Sequence, residues 1–432
     1  VNRSQTNFGL GTRILLALYS IAAAGALLLT APFWIRELRD NGKYREGLRE
    51  RLGSVPARLQ VPATGQIVLW LHAVSVGEVL AAAPLVHALR KAMPCARIFI
   101  STTTRTGQAI ARTRFGADSV FYFPADFAFA VRAWLRFLKP SAIILVESEF
   151  WPRFLVEASR AGVRVAVVNA RISGRSWPRY WRLAGLWRPL LRSLAFVQAQ
   201  SDDDADCLRY LGAGPVSTGG NLKYDLSPLR SSTLVPLLKA HLPQGTPVFV
   251  CGSTLEEEEY VLLGSLSRNS IVLFAPRHPE RFEAVADMLA KQPRPWLRLS
   301  AWRLRPETIA PGSILLLDSI GELSAVYALA TVAIVGGGFL HAGGHNPLEP
   351  AALAKPIVIG PNAQNFVDIV VKLYEARAIL ITDSPNVAPE VEYLVQHPEE
   401  ARAMGERARQ VCLQQSGATE RALAAILQLV RR

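Results

Sequence analysis

The chain has 432 residues, half of them apolar and 19% charged, which excludes a disordered protein and leaves room for two ordinary domains plus a short extra segment. Its formal net charge of +13 favours an anionic partner, whether nucleic acid, an anionic membrane or a phosphorylated substrate. The cysteines, Cys95, Cys207, Cys251 and Cys412, lie far apart without a CxxC pair, which supports neither a zinc site nor a disulfide framework and suits a reducing compartment.

Between Arg13 and Arg36 the sequence reads ILLALYSIAAAGALLLTAPFWI, with no charged residue. Roughly 20 apolar residues are enough to cross a bilayer as a helix. The competing reading is a cleaved signal peptide, whose apolar region is shorter, roughly 7–15 residues. Arg36, Arg39, Lys43, Arg45, Arg49 and Arg51 follow at once. Positive flanks stay in the cytoplasm. A single-pass N-terminal anchor over residues 1–40 is expected, with the main body on the cytoplasmic face.

From Ile67 onward, short apolar runs alternate with longer helical patterns. Strands are predicted at Ile67–Val74, Ile98–Thr102, Val120–Phe123, Ala142–Val146, Val163–Asn169 and Leu194–Gln198, then at Pro247–Cys251, Ile271–Ala275, Ile314–Leu317, Val332–Val335, Ile357–Ile359 and Ala378–Ile381. Runs apolar throughout and joined by amphipathic segments indicate parallel strands buried on both faces. Two such sets imply an α/β protein with two doubly wound domains, residues 41–225 and 226–432. The boundary falls in the turn-rich stretch Asn221–Pro236, and a ligand is expected in a cleft facing the carboxyl ends of the strands.

Charges at the ends of apolar strands need an explanation beyond packing. Glu78, in VSVGE, sits between a strand-like and a helix-like run, so it reads either as a helix-start residue or as a piece of chemistry. Glu147 and Glu149, in AIILVESEFWP, fall at the end of another strand; they point the same way if the strand continues that far, and Lys223 in GNLKYD is one candidate partner. In Arg171–Leu194, Arg175, Arg179, Arg182, Arg188 and Arg192 alternate with Trp177, Tyr180, Trp181 and Trp187, a composition suited to an anionic membrane surface or to a solvated helix face. Nucleic acid is not expected as a partner of a membrane-tethered chain. The acidic runs SDDDAD and STLEEEE read as helix N-termini capped by Ser201 and Ser253.

Three later segments suit a nucleotide. Arg277 and His278 follow a buried strand and fit a phosphate or a pyrimidine base, or else form a surface turn between Pro276 and Pro279. Gly321, Glu322 and Leu323 open a helix whose backbone N–H groups could hold a nucleotide; the plainer reading is a helix capped by Asp318 or Ser319. Five glycines within Gly336–Gly344 precede NPLEPAALA, where Asn346 suits the N-cap, Pro347 the first helical position and Glu349 the reciprocal cap, with Leu348 between them. Glycines allow close backbone approach to a phosphate. The spacing matches neither GxGxxG nor GxxxxGK[ST], and no histidine pattern such as HExxH signals a metal. Neither a metal nor a cofactor is expected.

The segments VSVGE (74–78), ESEFWP (147–152), NARISGRS (169–176), GNLKYD (220–225), APRHPER (275–281) and GGHNPLEPA (343–351) occur in an order that resembles the bacterial 3-deoxy-D-manno-octulosonic acid (Kdo) transferases of lipopolysaccharide inner-core synthesis. The resemblance spans nearly the whole chain, the N-terminal segment included. It implies a GT-B glycosyltransferase of the inner membrane, two Rossmann-like domains facing a cleft, that moves Kdo from CMP-Kdo to a lipid A precursor (lipid IVA). By that resemblance Glu78 is the general base of an inverting transfer, and Glu147 and Lys223 stabilise the transition state. Arg277, His278, Gly321, Glu322, Leu323, Asn346, Pro347, Leu348 and Glu349 correspond to the CMP-binding segments. The alternatives are another GT-B transferase or epimerase using a UDP-sugar, and a non-catalytic membrane-tethered nucleotide- or lipid-binding module. One turn departs from the pattern: Leu255 and Glu257 stand where family members usually carry a histidine and a glycine.

Overall fold

The computed structural model describes residues 8–40, 46–59, 63–225, 232–341 and 343–431. Lys43, Arg45 and residues 226–231 of the expected linker lie outside the described residues. The chain divides into two compact units, Val1–Asp225 with Ser416–Arg432, and Leu226–Gln415.

In the first unit, strands β1 (Val68–His72), β2 (Arg97–Thr102), β3 (Val120–Tyr122), β4 (Ala142–Val146), β5 (Arg164–Ala170), β6 (Phe196–Ala199) and β7 (Val216–Thr218) form one sheet in the order β3-β2-β1-β4-β5-β6-β7. Every pairing is parallel, with Leu69 of β1 between Ile98 of β2 and Ala142 of β4. β1 and β4 are buried at every position, as apolar runs covered on both faces should be. The chain winds outward from β1 to β3, then crosses back to β4, so the switch point lies between β1 and β4. Side chains following those two strands therefore share one crevice.

The second unit repeats the plan with β8 (Val248–Thr254), β9 (Ile271–Pro276), β10 (Trp296–Arg298), β11 (Ile314–Leu316), β12 (Val332–Val335), β13 (Ile357–Ile359) and β14 (Leu380–Ile381), ordered β10-β11-β9-β8-β12-β13-β14 and again parallel throughout. Here the switch lies between β8 and β12. The predicted strands are all present; β7 and β10 are additional, and each is the outermost strand of its sheet.

The closing helix, Ala418–Arg431, belongs to the first unit, where a linear division at residue 225 would leave it in the second. Its Ala422, Ile426 and Leu429 share a core with Leu85, Val86 and Leu89 of helix Val76–Ala92. The Asp225 carboxylate fixes the return by accepting from the N–H groups of Gly417 and Thr419.

Helix Leu10–Asp40 opens the described chain. Its span Leu10–Ala31 is long and apolar enough to cross a membrane, with a mean hydropathy of 2.2. Leu16 is buried in the first unit's core, and the Tyr19 hydroxyl donates to Asp126 Oδ2 at 2.9 Å. Leu10, Ile14, Leu18, Ile21, Leu28 and Leu29 remain exposed.

Candidate active site

At the first switch point the structure makes Glu78 a helix-start residue and sets its carboxyl among other acids. Ser75 is the N-cap of helix Val76–Ala92, and Glu78 is the third helical residue. Its carboxylate turns back, accepting from the Val74 N–H at 2.8 Å and the Ser75 hydroxyl at 3.0 Å, much as a capping-box glutamate does. It is also only 8% exposed. Burial first, then the charges of Glu147 and, more weakly, Glu149 push its pKa up to about 8, and the two hydrogen bonds only partly offset them. A capping glutamate on the surface has no such shift. A carboxyl with this value is matched to taking a proton near neutral pH.

Glu147 follows β4 directly. Strand β4 ends at Val146, and Glu147 adopts a left-handed backbone (φ 62°), so the extended alternation expected to carry Glu147 and Glu149 together stops there. The turn is held because the Glu147 N–H donates to the Val168 carbonyl at 2.9 Å. Glu149 instead accepts from the Trp151 indole N–H at 3.1 Å, and burial raises its pKa. The ammonium of Lys223 lies 3.8 Å from Glu147 Oε1, the pairing anticipated for these two residues.

The placement of Lys223 depends on residues the sequence did not mark as functional. Asn169, near the end of β5, is left-handed (φ 59°) and almost fully buried. Its Oδ1 accepts from the Leu222 N–H at 2.9 Å, and its carbonyl accepts from the Gln200 amide at 3.0 Å. Gln200 in turn accepts from Asn221 at 3.0 Å, and Asn221 Oδ1 accepts from the Lys223 N–H at 2.9 Å. An asparagine at a strand end was the available signal, since it tolerates the left-handed region.

In the second unit the predicted nucleotide segments cluster at the carboxyl ends of β9, β11 and β12. Arg277 and His278 are exposed just after β9. Burial first, then the charges of Arg277 and His278, push His345 down to about 4, and the Arg277 charge opposes the upward push that burial gives Glu349. The PRHPER and HNPLEP segments therefore face each other electrostatically. Asn346 Oδ1 accepts from the Leu348 N–H at 3.1 Å, while Pro347 is the N-cap of the short helix Leu348–Ala352, one residue later than expected.

Gly321 is left-handed (φ 87°), and Glu322 is the N-cap of the one-turn helix Leu323–Val326. Asp318 does not cap that helix: it accepts from Arg298 Nε at 2.6 Å and from the Ser300 N–H at 2.9 Å. Glu322 is bound by Arg303 and Ser319. Both acids are thus engaged in local structure.

The acidic runs differ from each other. Ser201 caps helix Asp202–Tyr210 by accepting from the Asp204 N–H, as expected. Ser253 caps nothing, because β8 continues through it to Thr254 and the next helix starts at Glu258. In the basic and aromatic segment, Trp177, Tyr180 and Trp187 pack against the first unit's core, so the aromatic surface narrows to Trp181. Arg175, Arg179, Arg182, Arg188 and Arg192 are exposed.

Two parallel, doubly wound seven-stranded sheets of this kind define the GT-B fold. Acinetobacter baumannii MurG shares that fold, with a TM-score of 0.51 at 14% identity over 84% of this chain and 99% of its own. Residues 46–226 match the family model described as 3-deoxy-D-manno-octulosonic-acid transferase (kdotransferase). The 3-deoxy-D-manno-octulosonic acid transferase of Haemophilus influenzae is 34% identical over 399 residues, 88% of this chain and 91% of that protein. The enzyme of the same description from Bordetella pertussis is 33% identical over 428 residues, 94% and 98% of the respective chains. The chain belongs to the Kdo transferase family, and it is a glycosyltransferase. That membership replaces the UDP-sugar and the non-catalytic readings.

Proposed function

We propose that this enzyme transfers Kdo from CMP-Kdo to a lipid A precursor (lipid IVA) in lipopolysaccharide core synthesis, with inversion at the anomeric carbon and Glu78 as general base. The observation that carries the proposal is the buried carboxyl of Glu78 at the first switch point, tuned to about 8. A sugar hydroxyl is a weak nucleophile at neutral pH. Glu78 removes its proton as the oxygen attacks the anomeric carbon of Kdo; the bond from that carbon to the phosphate oxygen breaks, and CMP leaves with the electron pair. Lys223, positioned beside Glu147, offsets the negative charge that develops on the leaving phosphate or on the Kdo carboxylate.

The first unit takes the acceptor and supplies the base, and the second holds the nucleotide. Arg277 and His278 suit the phosphate and the cytosine, the backbone at Gly321, Glu322 and Leu323 lines the nucleotide, and the segment Asn346, Pro347, Leu348 and Glu349 offers N–H groups to phosphate and a carboxylate to the ribose hydroxyls. The apolar helix supports reading the enzyme as a single-pass protein of the bacterial inner membrane with both units in the cytoplasm. Its exposed leucines and isoleucines are what a bilayer would cover, and the exposed arginines of Arg175–Arg192 complement anionic headgroups.

The test is a product assay. Detergent-solubilised protein receives CMP-Kdo and tetraacylated lipid A precursor, and the lipid is analysed by mass spectrometry. Mass increments of Kdo are expected, and they also count the sugars added. Folded protein that yields no increment would overturn the assignment of donor and acceptor.

A further inference from the structure

The acidic run Glu256–Glu259 was expected to do no more than start a helix, and the structure gives it other work. Glu258 is fully buried beside the second switch point. Its Oε1 accepts from the Phe339 N–H at 3.0 Å; its Oε2 accepts from the Gly337 N–H at 2.7 Å and the Leu255 N–H at 3.0 Å. One carboxylate thus joins the turn after β8 to the glycine-rich segment after β12, across the crevice where this topology binds ligands. Gly336 is small for the same reason, because a Cβ there would lie 2.8 Å from Glu258 Oε2. A second tie runs in parallel, the ring of His341 meeting the Glu256 carbonyl at 2.9 Å.

The neighbouring carboxylate serves the other nucleotide segment. Glu259 is 2% exposed and accepts both Arg281 Nη1 at 2.8 Å and Nη2 at 2.9 Å, a bidentate pair at the end of PRHPER. At the start of that segment the Arg277 N–H donates to the Thr254 carbonyl at 2.9 Å. The turn after β8 is therefore the common post for both segments.

We propose that Glu258 is the positioning residue of the donor site, its carboxylate setting the register of the glycine-rich segment for the nucleotide, while Glu259 does the same for Arg277 and His278 through Arg281. The inference rests on the nucleotide reading of the second unit given above. A donor site pre-set in this way binds without having to order its own loops, so its loss weakens donor binding more than it slows the transfer step.

Glu258→Gln tests this, because the amide is isosteric but must turn an NH2 group toward a backbone N–H whichever way it faces. The full chain in detergent is titrated with CMP by calorimetry, and KM is measured separately for CMP-Kdo and for the acceptor. The expected result is a rise of about tenfold in the CMP Kd and the CMP-Kdo KM, with the acceptor KM unchanged and kcat at saturating donor within about threefold. A variant with a cooperative melting transition and wild-type CMP affinity would overturn the inference. Should Glu258→Gln not fold, Glu259→Gln is read the same way, since its arginine partner is partly solvent-accessible. Failure of the wild-type chain to bind CMP would overturn the nucleotide reading itself, which separates the two outcomes.

Discussion

Each unit carries a buried glutamate in the first turn of the helix that follows its first strand: Glu78 after β1 and Glu258 after β8. The two occupy equivalent points of the topology and differ in what surrounds them. Glu258 has three backbone N–H donors, one from its own turn and two from the segment after β12. Glu78 has one backbone donor and one hydroxyl, both from its own turn, and faces two further carboxylates at the adjoining strand end. Three donors, two of them from a distant segment, suit a carboxylate to tying loops together. Fewer donors, burial and like charge make it an available base. On the proposed reading, the same fold position serves architecture in one unit and chemistry in the other.

The sharpest way to break the comparison is to exchange the carboxylate of Glu78 for an amide. Glu78→Gln keeps the helix start but removes the proton acceptor, so kcat is expected to fall by about 10²–10⁴-fold, with the CMP Kd unchanged. Glu258→Gln is expected to do the reverse. If Glu78→Gln instead raised the CMP Kd and spared kcat, the division between the two units would be wrong.

A smaller loss is expected at Lys223. Lys223→Met removes the cation beside Glu147 and leaves the base in place, and kcat is expected to fall by about 10–100-fold in the same assay. Because Asn169 positions the 221–223 segment, Asn169→Ala should give part of that loss. Full activity in both variants would remove Lys223 from the mechanism.

Stability should also register the setting of Glu78. The folded pKa of Glu78 lies above the usual carboxylate range, so protonation favours the folded state. That contribution is complete below about pH 4.5 and is lost as the pH rises through about 8. Glu78→Gln lacks this dependence. Its melting temperature relative to wild type is therefore expected to climb between pH 5 and pH 9, and an unchanging difference would contradict the raised value.

The smallest effect concerns Glu257, which holds a left-handed backbone (φ 67°), the region that favours glycine. Glu257→Gly relieves a cost of about 1 kcal/mol and should raise the melting temperature by roughly 2–4 °C. A lower melting temperature would mean that the Glu257 side chain contributes more than its backbone strain takes away.

The sheets were legible because strands covered on both faces are apolar at every position, and such runs stand out between amphipathic helices. β7 and β10 escaped because they are edge strands, with mostly exposed and half-buried residues respectively, and so lack that signature. Glu78 and Glu147 were legible as charges where apolar runs end, and Lys223 only as a candidate partner for the latter at the domain junction. Glu258 and Glu259 were not, since their partners at Gly337, Phe339 and Arg281 lie far along the chain and only the parallel sheet brings them near. Nothing local separates Glu258 in STLEEEE from Asp204 in SDDDAD. The capping expected of Ser253 failed because β8 runs on through it, and the return of the last helix was hidden because a helix does not announce which sheet it covers.

The most direct test is the pH dependence of kcat/KM for CMP-Kdo at saturating acceptor, compared between wild type and Glu78→Gln. A catalytic carboxylate tuned to about 8 predicts a wild-type rate that rises tenfold per pH unit below that value and levels above it, a limb missing from the variant. A wild-type profile flat between pH 6 and 9, or the same rising limb in Glu78→Gln, would show that the base is some other group.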